Sequence, residues 1–235
     1  MGRWASDAPG RLRAAALELF GERGYDETTV ADVAARAGLS ERTFFRHFAD
    51  KREVLFDGAR ALEDEIVAAI ADAGPGPSLR VALEGMTAGA RILEGEVGHE
   101  RARRRARVVA SSEELREREQ MKMAELSDAL AAALRSRGCA PGEAGLAAGV
   151  AVVTFEVAFA AWTGGDVGAG LVEELSRAAG ALATLAAGAR AHEGSWPGRR
   201  AARSVPWRGE RPRDPHRPLV RRDRVDDPGE PRGPS

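Results

Sequence analysis

The chain has 235 residues, a formal net charge of −1 and one cysteine, Cys139, which is enough length for one large helical domain or for a small domain joined to a larger one. A single thiol excludes an internal disulfide framework and a cysteine metal site, and near-neutral charge confines any nucleic-acid contact to a local patch. Alanine, leucine, glutamate and arginine dominate and β-branched residues form no alternating runs, so the expected fold class is all-α.

In chain order, the N-terminal Met-Gly-Arg-Trp-Ala-Ser-Asp lacks the long apolar core of a signal peptide, and a cytoplasmic location is expected. Leu12, Ala16, Leu19 and Phe20 then recur at helical spacing between about Gly10 and Arg23, with Gly24 as the stop. A second helix begins at Thr29, whose side chain can cap free amides while Asp32, three residues on, completes a capping box. Val30, Val33, Ala34 and Ala37 form its apolar side. Gly38 supplies a left-handed stop, Leu39 can plug the corner, and Ser40 can cap a short helix from Glu41 to His47.

Asp50-Lys-Arg-Glu53 repeats the capping pattern and predicts a longer helix, Lys51 to Asp72, with Leu55, Leu62, Ile66 and Ile70 on one side. Gly74-Pro-Gly-Pro77 cannot continue a helix, because proline lacks the amide, and marks a domain hinge. Beyond it the periodicity predicts five helices, at about Leu79–Leu93, Glu96–Ala110, Glu113–Arg137, Glu143–Trp162 and Val167–Ala191. After Trp196 the composition changes to proline and arginine, with eight of the twelve prolines, which predicts a disordered tail over 195–235. The expected domains are therefore 8–56, its connecting helix running on to about 72, and 78–192.

The helix, glycine turn and short helix between Thr29 and Phe48 form the constellation that carries function: one helix can brace on phosphates while the next enters the major groove. Phe44 and Phe48, four apart, can anchor the short helix, leaving Glu41, Arg42, Thr43, Arg46 and His47 outward. Arg36, Arg42, Arg46, Lys51 and Arg52 stand against Glu41 and Asp50 over the same stretch, a local positive balance. Arginine suits bidentate contact with guanine, threonine suits phosphate or a thymine methyl, and lysine at a helix start suits phosphate. Arg42 and Arg46 are accordingly the expected base readers. A helical scaffold using this corner for protein contacts is the alternative.

Residues 24–55, GYDETTVADVAARAGLSERTFFRHFADKREVL, resemble the DNA-binding domain of the TetR/AcrR family of bacterial regulators. The resemblance is close over the first quarter of the chain and extends by helix count to about His192. It implies that Thr29 caps the helix before the turn, that Ser40 to His47 form the recognition helix, and that Lys51 faces a phosphate. The family usually has tyrosine where this chain has Phe45, so the hydroxyl expected to reach a phosphate is missing.

In the second domain, Leu146 to Trp162 holds Glu156 as its one charged residue, long enough to raise a membrane span. Two apolar stripes, Leu146/Val150/Val153/Val157 and Val152/Phe155/Phe159/Trp162, point instead to a helix packed on two sides, and no membrane partner is expected. Gly145, Gly149 and Glu156 share a third face. Leu171, Leu175, Ala178, Leu182 and Leu185 stripe the last helix, so two helices from each of two chains can build a four-helix interface, and the resemblance implies that homodimer. A dimer reads two half-sites, hence a partly palindromic double-stranded operator.

The resemblance further implies a small-molecule effector inside the second domain, whose binding releases DNA. Met86, Leu93, Met121, Met123, Phe155, Phe159 and Trp162 are the expected lining, since thioethers and aromatics suit an apolar ligand; plain core is the alternative for each. The arginine run 101–107 reads as a solvated surface. His99, His192 and His216 have no partners at metal spacing, and no phosphate loop, nucleophile elbow or dinucleotide fingerprint occurs. No catalytic residue, metal or cofactor is expected, and the reading is a transcriptional repressor rather than an enzyme.

Overall fold

The computed structural model describes residues 8–165 and 168–191; the expected tail lies outside them. Among the described residues every regular element is helical: α1 (Ala8–Arg23), α2 (Val30–Arg36), α3 (Glu41–His47), a 3-10 turn (Arg52–Leu55), α4 (Ala59–Asp72), α5 (Ser78–Ile92), a π-helical turn (Leu93–Val97), α6 (His99–Ser111), α7 (Glu113–Ser136), α8 (Pro141–Gly164) and α9 (Leu171–Ala191).

Two hydrophobic cores organise these helices. The first gathers Leu12, Leu19 and Phe20 from α1, Val33 from α2, Phe44 from α3, and Phe48, Val54 and Phe56 after it. Val108, Val109 and Leu115, at the junction of α6 and α7, complete it. Three short helices bury too little apolar surface on their own, and this junction supplies the rest. The second core runs from Ile66 and Ile70 of α4 through Met86 of α5, Leu130 and Leu134 of α7 and Trp162 of α8 to Leu171 and Leu175 of α9. Glycine sets its closest approach. A methyl group on Gly85 would lie 2.6 Å from Ile70 Cγ1, and one on Gly89 2.7 Å from Ile66 Cδ1, so α4 seats its isoleucines directly on the α5 backbone.

The connecting segment differs from the expected continuous helix. Asp50 Oδ1 accepts from the Glu53 amide at 3.0 Å, but the turn that follows is 3-10, and the chain breaks at Gly58, whose φ of 92° is left-handed. Leu55 consequently enters the first core, whereas Ile66 and Ile70 enter the second. Glu53 does not return to close a capping box; its carboxylate takes the Arg118 guanidinium at 2.6 Å. The expected start of the next helix at Glu96 also moves, to His99, because Gly98 adopts φ 78° after the π-helical turn.

α8 is long and apolar enough to cross a membrane by length and composition. It packs against α5, α6, α7 and α9, which buries Ala144, Ala148, Ala151, Phe155 and Trp162, while Leu146, Val153 and Val157 stay exposed. Glu156 lies on that exposed side. Partial burial, with the Glu119 carboxylate nearby, raises its pKa.

The arginine run of α6 is not simply solvated. Arg105 donates to the Leu55 carbonyl at 2.9 Å, pairs with Glu119 at 2.7 Å and lies 5.0 Å from the Phe56 ring. One member of the run therefore clamps the end of the 3-10 turn, something a charge count cannot reveal.

Candidate nucleic-acid interface

The corner between α2 and α3 is built from local hydrogen bonds. Thr29 Oγ1 accepts from the Asp32 amide at 3.1 Å, and the Thr29 amide donates to Asp32 Oδ2 at 2.9 Å, the reciprocal capping box expected from the spacing. The Thr29 hydroxyl also donates to Asp32 Oδ2 at 2.6 Å, and this bond first, with that of the Thr29 amide, holds the Asp32 carboxyl below the usual carboxylate range. α2 ends where Gly38 takes φ 65°, and the Leu39 amide donates back to the Ala34 carbonyl at 2.8 Å. Arg11 of α1 donates to the Ala37 carbonyl and ties the turn to the first helix. Ser40 Oγ then accepts from the Thr43 amide at 3.2 Å and starts α3.

On α3 the two faces separate as the spacing predicts. Phe44 and Phe48 are buried, their ring centroids 5.2 Å apart. Glu41, Arg42, Arg46 and His47 are exposed and Thr43 is half-buried. Phe45 is 55% exposed, its ring edge resting on Phe44 at 5.5 Å. Arg42, Thr43, Phe45 and Arg46 line an open concavity of about 390 Å³. Arg46 lies 3.2 Å from His47 Nε2, so the two side chains meet on the outward face.

The local positive balance is redistributed by pairing. Arg36 is held by Glu18 and Glu22 at 3.2 and 3.0 Å, and Arg52 by Asp50 at 3.1 Å. Lys51 donates to the Tyr25 carbonyl at 2.8 Å, with its ammonium 3.9 Å from the Tyr25 ring centroid. The Tyr25 hydroxyl donates in turn to Glu114 at 3.0 Å, and burial together with this carboxylate pushes the phenol pKa up. Tyr25 was missed as a positioning residue in the sequence. Its partners lie 26 and 89 positions away, beyond any local pattern.

The effector-lining set divides. Phe155 and Phe159 stack with centroids 5.9 Å apart, and Phe159 meets Trp162 edge-on at 5.8 Å. Met86, Phe155 and Trp162 are buried, and Leu93, Met123 and Phe159 pack half-buried against the same core. Met121 is not brought to them as a buried wall: it is 54% exposed on α7. Among the described residues no His, Cys, Asp or Glu group is placed to hold a metal ion.

The family model described as "Bacterial regulatory proteins, tetR family" matches residues 12–57. A curated relative, the HTH-type transcriptional regulator TcmR of Streptomyces glaucescens, is 39% identical over 84 residues, which is 35% of this chain and 35% of that protein. The matched stretch thus spans about a third of that relative's length. Among solved structures, SmeT of Stenotrophomonas maltophilia, in complex with triclosan, has a TM-score of 0.52 at 20% identity, covering 77% of this chain and 90% of that one. FadR of Bacillus halodurans, a fatty acid degradation regulator, has a TM-score of 0.52 at 15% identity, covering 77% and 95%. The last two likenesses are of fold.

Proposed function

We propose, from an N-terminal region that belongs to the tetR family of bacterial regulatory proteins, that this chain is a sequence-specific DNA-binding transcriptional regulator, a cytoplasmic repressor released from its operator by a small, largely apolar ligand. The observation that carries the proposal is the outward Arg42, Thr43, Phe45 and Arg46 surface on a helix whose opposite side is locked by Phe44 and Phe48. α3 enters the major groove, where Arg42 and Arg46 read base edges. Thr29, Ser40, Glu41, Thr43, His47 and Lys51 border the groove and meet backbone or bases. Lys51 has one N–H on the Tyr25 carbonyl and two more for a phosphate. Phe45 offers a thymine methyl or a sugar an apolar face, without the phosphate bond that a tyrosine hydroxyl makes.

One short helix makes too few contacts, so residues 8–56 act in pairs, joined through residues 78–192 of two chains. The exposed Leu146, Val153 and Val157 of α8 and Leu185 of α9 support a two-fold interface and a partly palindromic operator. The ligand sits in the second core, near Met86, Leu93, Met123, Phe155, Phe159 and Trp162. SmeT, with a similar fold, is solved in complex with triclosan, which supports an apolar effector. The ligand acts by binding the DNA-incompetent state more tightly. The α6–α7 junction, through Arg105 on Leu55 and Arg118 on Glu53, links that core to the DNA-binding unit.

Genomic fragments selected by the purified chain supply the operator for the test. Arg46→Ala should weaken operator binding by about 1–3 kcal/mol, roughly 5- to 150-fold, and relax preference at one base position. Lys51→Ala should weaken all sequences alike and lower the salt slope by about one. Unchanged binding in both variants, with a flat salt response, points to the scaffold reading of the corner.

A further inference from the structure

The imidazole of His99 stands at the start of α6 against the end of α8, with Nε2 2.9 Å from the Trp162 carbonyl oxygen. A carbonyl can only accept, so Nε2 carries the hydrogen, and the neutral ring presents Nδ1 as a bare acceptor. Nδ1 is buried and, among the described residues, has no hydrogen-bond partner, an arrangement that folded interiors rarely tolerate.

Its surroundings are aromatic. The His99 ring meets Trp162 edge-on at 5.3 Å, Trp162 meets Phe159 at 5.8 Å, and Phe159 stacks on Phe155 at 5.9 Å. Phe155 and Trp162 are buried, but Phe159, Leu93 and Val97 are only partly covered, so the cluster reaches the surface beside the π-helical turn Leu93–Val97. Such turns are irregular insertions that recur at functional sites. The nearby Glu94 has its Oε1 taken by the Val172 amide at 2.9 Å.

We infer that this cluster is the effector seat and that it takes a neutral aromatic compound carrying a hydroxyl, with the hydroxyl hydrogen donated to His99 Nδ1 and the ring packed against Phe159 and Trp162. An anion brings no hydrogen to the lone pair. The inference rests on the effector reading of the second core and gives that effector a chemical class.

The test is calorimetric titration of the full-length chain with 2-naphthol and with 2-methoxynaphthalene, which differ in the O–H donor. The wild-type protein is expected to bind 2-naphthol roughly three- to tenfold more tightly, the range of one net neutral hydrogen bond. His99→Leu, checked for native helicity, is expected to bind both compounds alike. Equal affinities in the wild-type protein, no binding of either probe, or a preference that survives in His99→Leu overturns the assignment. The two-probe comparison in the wild-type chain stands even if the variant fails to fold. Operator release is read separately by adding 2-naphthol to the DNA complex. His99-dependent binding that leaves the complex intact upholds the seat and refutes release by this ligand class; release without an O–H preference does the reverse.

Discussion

The corner between α2 and α3 and the packed helices α5, α7, α8 and α9 keep their shapes by different means. At the corner, almost every residue of the motif has a specified bond: Thr29 with Asp32, Ser40 with Thr43, Leu39 with Ala34, and two phenylalanines locked ring against ring. The second core is held by alanine, glycine and leucine in close contact, and one side of α8 is left apolar and exposed. A surface that must fit a rigid duplex needs its side chains fixed to within a fraction of an ångström, and caps and short-range aromatic contacts provide that locally. On the proposed function the second core admits a ligand and a second chain, and generic apolar packing suits that, with His99 Nδ1 as its one directional contact.

Four substitutions would break or sharpen that contrast. Phe44→Ala empties the centre of the first core and should cost about 3–5 kcal/mol, read by urea denaturation, with operator binding lost before the helices α4 to α9 unfold. A single cooperative transition would show that the two cores stand or fall together. Gly85→Ala puts a methyl group 2.6 Å from Ile70 Cγ1 and 3.1 Å from the Ile66 carbonyl. Overpacking of this kind costs about 1–3 kcal/mol, and the expected signature is a lower Tm with α3 contacts to DNA unaltered. Thr29→Ala removes one cap and should cost about 1 kcal/mol; a larger loss in DNA affinity than in stability would mean that the hydroxyl also meets the duplex.

The smallest effect is expected at Glu156. Its raised pKa means that the folded protein favours the neutral carboxyl, so this group's contribution to stability is full in acid and is lost as pH rises through the folded value. Glu156→Gln, neutral throughout, should match the wild-type protein in acid and exceed it slightly at neutral pH. Thermal denaturation across pH 4–8 checks the sign, and a variant less stable at neutral pH would mean that the carboxylate has a partner, for which the facing surface of a second chain is the natural place.

Legibility followed the range of the interactions. The all-α class, the capped corner and the division of α3 into Phe44 and Phe48 inside and Arg42, Arg46 and His47 outside depend on contacts four residues apart or fewer, so capping boxes, a left-handed glycine and helical periodicity determine them without the rest of the molecule. Tertiary structure alone decided that Arg36 is paired with the Glu18 and Glu22 carboxylates, that Lys51 is held by Tyr25, that Met121 stays in solvent, and that Gly58 splits the connecting segment. It also placed His99, isolated in sequence, against the Trp162 carbonyl 63 positions away. Long charged and aromatic side chains choose partners by proximity in space, and that proximity exists only after the two cores have closed.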